Sequence, residues 1–150
     1  MWSYPPASAS LLNTIRKRIC QTDTASLITI GPEGYPRARA MADLNVETDF
    51  VFRFATPLSS RKISEIRANP HMAVSYLEPA SKDYVCVFGR GEIVMDDAAR
   101  ASFWRPDWER YWPQGRTDPD YAIVRVVGEA IEYFDMEQDR LIKVALPTGT

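Results

Sequence analysis

A mainly β fold, an antiparallel barrel of about six strands with a few flanking helices, is predicted by two features of the sequence. Short runs rich in β-branched and aromatic residues recur along the chain, and compact turn clusters separate most of them. A parallel sheet would need a crossover helix between nearly every strand pair, and helical segments are too few for that. The 150 residues fit one domain spanning the whole chain. Apolar residues make up 45% and charged residues 25%, enough to build one packed core.

The elements follow in order. Residues 10–20 form an amphipathic helix, because Leu11, Leu12, Ile15 and Ile19 recur at helical spacing around Arg16, Lys17 and Arg18; its expected role is a core-facing lid. Residues 26–30 are a strand ending at the turn cluster Gly31-Pro-Glu-Gly34, and residues 36–46 a longer strand, which together predict a hairpin. Glu47-Thr48-Asp49 turns the chain into residues 50–55, where Phe50, Phe52 and Phe54 share one face. Residues 59–69 read as a helix capped by Ser59 or Ser60, striped by Ile63 and Ile66 and stopped at Asn69-Pro70. Two further strands span 72–77 and 84–95, with Gly89 and Gly91 predicting a bulge or bend in the second. A short helix at 96–104, an aromatic and proline-containing excursion at 105–119, and a last strand at 121–131 complete the series.

The counts exclude several chemistries. Cys20 and Cys86 form no CxxC pair and His71 is the only histidine, which argues against a zinc site of Cys and His. His71 follows Asn69-Pro70 and reads as a helix-to-strand connector rather than a catalytic base. The seven glycines make neither GxxxxGK nor GxGxxG. No apolar run reaches the roughly 18 residues of a membrane span, and the opening MWSYPPASAS lacks the pattern of a signal peptide, so a cytoplasmic protein is expected, with no membrane partner. A net charge of −2 argues against a generic nucleic-acid binder. Any reaction of difficult chemistry would need a borrowed reagent.

One constellation could hold an anion. Arg61 and Lys62 fall in the first turn of the 59–69 helix, where the macrodipole disfavours cations by roughly 0.3–1 kcal/mol each. A bound dianion would reverse that sign. Free backbone N–H groups, the hydroxyls of Thr56, Ser59 and Ser60, and the two cations together make a phosphate cradle; the bland alternative is a solvated basic helix start. On the 36–46 strand, Arg37, Arg39, Met41 and Asp43 point one way while Ala38, Ala40, Ala42 and Leu44 point the other. Two cations on one strand face repel unless solvent or an anion lies between them, and Arg53 on the next strand is expected to converge on the same end. The alanines would let a flat ring approach the backbone, or would mark tight packing against a helix.

These segments resemble a known family. Gly34-Tyr-Pro-Arg-Ala-Arg-Ala-Met41, Phe52-Arg-Phe-Ala-Thr56, Ser60-Arg-Lys-Ile-Ser-Glu-Ile66 and Asn69-Pro70 look like the FMN-binding half of the pyridoxamine 5′-phosphate oxidase-like split barrels. Phe103-Trp104, Trp108, Tyr111-Trp112-Pro113, Gly115 and Asp118-Pro119 look like its general stress protein 26 branch. The resemblance implies a six-stranded antiparallel split β-barrel that forms a homodimer, with FMN in clefts at the subunit interface. By position, Arg39, Ala40, Met41, Ala42, Asp43 and Leu44 would line the isoalloxazine and ribityl chain. Ala55 and Thr56 would follow along the cofactor, Ser60, Arg61 and Lys62 would hold the phosphate, and Tyr84 with Val85 would match a flavin-contacting position. Trp104, Trp108 and Trp112 recur every four residues, which places them along one helical face as core or dimer contacts; the functional reading is that Trp108 or Trp112 stacks near the flavin.

The family's oxidases carry a C-terminal Arg-x-His element that this chain lacks, so pyridoxamine phosphate turnover is not expected. The leading expectation is an FMN-dependent oxidoreductase acting on a small-molecule redox substrate, with the chemistry residing in the cofactor. The alternatives are a flavin-binding stress protein without turnover, a deazaflavin-dependent reductase on the same barrel, and a single-stranded nucleic-acid binder using Phe50, Phe52, Phe54 and the arginines.

Overall fold

The structure, a computed structural model, describes residues 2–42 and 49–147. Helix α1 (Ala9–Cys20) is capped by Ser8, whose hydroxyl accepts from the Leu11 N–H, and it buries Ile15 and Ile19 in the main core as expected of a lid. Strands β1 (Thr24–Ile30) and β2 (Pro36–Ala42) form the predicted hairpin. Gly34 takes a φ of 88° in its turn, a conformation that costs glycine little and other residues more. Strand β3 (Val51–Pro57) leads into helix α2 (Arg61–Ala68), followed by β4 (His71–Leu77) and β5 (Tyr84–Val94).

Helix α3 (Asp97–Phe103) is capped by the Asp96 carboxylate, which accepts from the Ala99 N–H. Two short 3-10 turns, Pro106–Arg110 and Gly115–Thr117, lead from it to β6 (Tyr121–Asp135) and β7 (Arg140–Ala145). Buried Arg100 of α3 pins this excursion by donating to the carbonyls of Asp118 and Tyr121 at 3.0 and 3.1 Å.

Among the described residues the sheet has seven strands, all paired antiparallel, in the order β2-β1-β4-β5-β6-β3, with β7 also paired to β6. The seventh strand corrects the expected six. Within β7 only Val144 is buried and the other residues stay partly or fully exposed, so its sequence carries little strand periodicity. Strand β6, longer than the expected 121–131, serves two neighbours on one side: its first half pairs with β3 and its second half with β7. It bends between them at Gly128, whose N–H donates to the Phe50 carbonyl at 2.8 Å. The predicted irregularity in β5 lies between Phe88 and Gly89, where a Cβ on Gly89 would stand only 2.3 Å from the Val127 carbonyl oxygen.

The interior of the barrel is filled by Leu27, Phe52, Phe54, Val74, Val87, Val124 and Val126, with Ile63 and Ile66 of α2 closing one end. A second apolar cluster lies on the outer face of β3 and β6, where Trp108, Trp112, Tyr121 and Ile123 pack beneath the excursion. Because β2 and β3 are the two ends of the strand order, the sheet does not close between them. That seam is the split of the barrel.

Candidate functional site at the split

The two edge strands converge on one pocket of about 160 Å³, lined by Met41 and Ala42 of β2, by Arg53, Phe54 and Ala55 of β3, and by Phe103, Trp108, Tyr111 and Trp112. Strand β2 alternates as predicted: Arg37, Arg39 and Met41 are half-buried, while Ala38, Ala40 and Ala42 are exposed. The alanines therefore face outward and leave the backbone of an unpaired edge open to approach. Asp43 and Leu44, and the far end of the predicted 36–46 strand, lie outside the described residues.

The start of α2 stands at the end of β3. Lys62 Nζ donates to the Thr56 hydroxyl at 2.5 Å and to the Ser60 hydroxyl at 3.3 Å, and the two hydroxyls are themselves 3.3 Å apart. Ser60 occupies the cap position, but its side chain makes no capping bond, so its hydroxyl remains with Thr56 and Lys62. Burial, then the charge of Arg39, pushes the Lys62 ammonium below the usual lysine range, against an opposing pull from Glu65. Among the described residues no carboxylate makes an ion pair with Lys62. Arg61, expected beside it, points elsewhere: its side chain is 67% exposed and its Nε lies 3.6 Å from Glu65.

The anion that the two β2 arginines require is Glu65, a residue of α2 that sequence reasoning missed. Its carboxylate is 2% exposed and receives Arg37 Nη1 at 2.6 Å, Arg39 Nη2 at 3.0 Å and the Thr29 hydroxyl at 2.9 Å. Arg39 also donates to the Thr29 hydroxyl, and Arg37 to Glu33. Burial alone would raise the Glu65 carboxyl; the Thr29 hydroxyl, followed by the two guanidiniums, holds it below its ordinary value. A signal existed: an acid one helical turn after Arg61 and adjacent to the buried Ile66, on the helix that follows an arginine-bearing hairpin.

Arg53 does not join Arg37 and Arg39. It pairs across the β3–β6 ladder with Arg125, because β3 lies beside β6 and not beside β2, and it lines the pocket at the split from the β3 side.

The tryptophans do not share one helical face. Trp104 follows α3, Trp108 sits in the first 3-10 turn and Trp112 comes after it; the shorter turns bend the chain so that all three rings still meet, with centroids 5.8 to 6.2 Å apart. Trp108 and Trp112 are buried against Tyr121 and also wall the pocket. The Asp120 carbonyl accepts from Trp112 Nε1 at 3.2 Å and from the Leu58 N–H at 2.6 Å, which ties the excursion to the segment preceding α2. Tyr111, not singled out as a site residue from the sequence, stands 60% exposed at the pocket wall. Tyr84 is not part of this assembly: it stacks on Phe134 at the far end of β5, with centroids 5.5 Å apart. His71 begins β4, exposed, with Nε2 3.2 Å from Arg90 Nη1.

The comparisons with known proteins agree with this architecture. A protein related to general stress protein 26 from Clostridium acetobutylicum superposes with a TM-score of 0.80 at 22% identity, covering 93% of this chain and 96% of that one. A pyridoxamine 5′-phosphate oxidase-related FMN binding protein from Nostoc punctiforme has a TM-score of 0.63 at 14% identity, covering 97% and 100%. The same fold occurs in a heme binding protein from Mycobacterium smegmatis, with a TM-score of 0.69 at 16% identity, covering 93% of this chain and 59% of that one. The model of the family described as pyridoxamine 5′-phosphate oxidase like matches residues 11–147, nearly the whole of the described barrel, and the chain belongs to that family.

Proposed function

We propose that the chain binds FMN at the split of the barrel and acts as an FMN-dependent oxidoreductase on a small-molecule redox substrate, as a cytoplasmic homodimer. One observation carries the reading: a half-buried ammonium, Lys62, faces two hydroxyls and an uncapped helix start, with no ion-paired carboxylate among the described residues. A phosphate monoester fits that donor set, since it brings the missing negative charge and accepts from hydroxyl, ammonium and backbone N–H alike. Thr56, Ser60 and Lys62 would hold the phosphate, and the exposed Arg61 could swing to it from Glu65.

From there Met41, Ala42 and Ala55 lead along the seam towards the aromatic wall, and the unpaired edge of β2 offers backbone donors and acceptors to a heterocycle. Arg39, fixed by Glu65 and Thr29, would hold one orientation beside that path. Trp108 and Trp112 exclude water from the inner end. The flavin contact that the resemblance gives Tyr84 would, in a homodimer, come from the second copy, because Tyr84 lies outside this pocket. When bound, the flavin supplies the hydride chemistry, so the chain need only bind and orient. Among the described residues, Arg53 and Tyr111 are the titratable side chains lining the pocket, which leaves room for the second reading, flavin binding without turnover. A haem reading is less supported: the only histidine lies against Arg90 and lines a different pocket.

The test begins with colour. A purified chain that carries a flavin absorption band, and a double variant Arg61→Ala and Lys62→Ala that stays folded but loses it, would support the site. Wild-type retention by that variant would refute it. Anaerobic addition of NADH or NADPH separates the two readings, because bleaching of the flavin band requires hydride transfer. The mass of the extracted cofactor distinguishes FMN from FAD or a deazaflavin.

A further inference from the structure

A cavity of about 610 Å³ opens on the outer face of strands β1, β4 and β5, and none of its lining residues lines the pocket at the split. Its volume falls in the range of small-molecule sites. Ile28, Ile30 and Ala73 form an apolar floor, and the Trp2 ring stacks on Phe88 with centroids 5.1 Å apart to raise one wall. The segment that carries Trp2 is tied down behind it: the Tyr4 hydroxyl donates to Glu132 at 2.7 Å, and the Pro5 carbonyl accepts from the Ala145 N–H at 2.8 Å.

Two opposite charges border this apolar space, Arg90 on β5 and Glu129 on β6. The irregularity of the β5–β6 ladder places the second: Phe88 pairs with Ala130 and Gly89 with Gly128, so Glu129 is the extra residue of a bulge. A bulge re-aims the side chain it carries, here towards the cavity. Among the described residues neither Arg90 nor Glu129 makes an ion pair, with the other or with any third group. The His71 imidazole lies 3.2 Å from Arg90 Nη1 and accepts there through Nε2, because a guanidinium can only donate. The rest of the guanidinium fork stays open to a ligand.

A ligand with one charge leaves such a site unbalanced. A monoanion on Arg90 would face the Glu129 carboxylate, and a monocation on Glu129 would face the guanidinium. A ligand that carries a carboxylate and an ammonium beside an apolar group satisfies both charges and the floor together. We propose that this cavity binds an α-amino acid with a large apolar side chain: its carboxylate on Arg90, its ammonium on Glu129, and its side chain over Ile28, Ile30 and Ala73 against the Trp2 wall. The assignment is independent of the flavin reading.

The test titrates the full chain with L-leucine and three partial copies of it, followed by calorimetry and tryptophan emission. Isocaproate lacks the ammonium, isoamylamine lacks the carboxylate, and glycine lacks the side chain. Leucine is expected to bind at about millimolar concentration or below, with both signals. Each single-charge analogue should bind about tenfold more weakly or worse, and glycine should give no signal. Arg90→Gln should erase the preference for leucine over isoamylamine, and Glu129→Gln the preference over isocaproate. Trp2→Phe should keep the calorimetric binding and lose the change in emission. No leucine binding at about 10 mM, equal binding of leucine and either analogue, or an emission change that survives Trp2→Phe would overturn the proposal. Self-association that shuts leucine out would give the face to a second copy, and competition between leucine and FMN would merge this cavity with the split; either result overturns it as well. If the chain takes up no FMN, only the flavin reading fails. The leucine, isocaproate and isoamylamine titrations still decide this cavity, and because they use the unaltered protein they do not depend on a variant folding.

Discussion

Two groups of cations flank helix α2, and the molecule treats them in opposite ways. On β2, Arg37 and Arg39 close on the buried carboxylate of Glu65, with Thr29 completing the set. At the helix start, Lys62 meets, among the described residues, only the hydroxyls of Thr56 and Ser60. The first group is neutralised inside the chain and holds the hairpin to the helix. In the proposed reading, the second keeps its charge for a ligand. Clustered basic residues therefore do not by themselves mark an anion site; what marks one is the charge left after the chain's own carboxylates have been counted.

The largest expected effect breaks the first group. Glu65→Ala would leave two guanidiniums and the Thr29 hydroxyl facing a vacated buried site, and should cost about 3 kcal/mol of stability in urea unfolding. A loss of flavin with unchanged stability would instead move Glu65 into the ligand site and collapse the contrast. Next comes Lys62→Ala, expected to weaken FMN by about 1.5–3 kcal/mol, roughly 10- to 150-fold. Its unfolding midpoint should stay near wild type, because the lost ammonium was partly desolvated.

Trp112→Phe should cost about 1 kcal/mol through the lost Nε1 bond to the Asp120 carbonyl, again read from unfolding. The pH dependence sharpens the contrast further. Glu65 is held below its ordinary value in the fold, so its contribution is fully present above the unfolded carboxyl value of about 4.3 and is lost as the pH falls through the lowered native one. Glu65→Gln should flatten that acid limb of the stability curve. Lys62 works in the other direction: FMN affinity should fall on the alkaline side, beginning below the usual lysine range, and Lys62→Gln should bind weakly without that fall. The smallest effect is Tyr111→Ala, within about 0.5 kcal/mol of wild-type stability because the ring is largely exposed.

Most of the barrel was legible because its signals are local. Period-two burial in β3, the apolar stripe of α2 with a serine at its cap position, and the bulge-forming Gly89 are each written in a few adjacent residues. Strand β7 was not, since it is made by pairing with the second half of β6 and shows little alternation of its own. The site divided in the same manner. Thr56, Ser60 and Lys62 follow from a strand end and a helix start joined by a short turn. The roles of Glu65 and Arg53 depend on strand order: only the full topology shows which helix caps the β2 arginines, and that β3 runs beside β6 instead of β2. The tryptophan repeat correctly grouped three rings but predicted the wrong backbone, because a 3-10 turn can also bring neighbours four apart into contact.

The seam between β2 and β3 has a kinetic meaning as well. The β3–β6 ladder joins residues far apart in the chain, Phe52 against Val126 among them, whereas β1 with β2 and β4 with β5 are local hairpins. Long-range pairings form late, after the entropy of closing a large loop has been overcome. The seam is therefore complete only when the whole barrel has folded. A ligand that spans it has no counterpart in partly folded chains, and by mass action it favours the finished barrel over every intermediate on the way there.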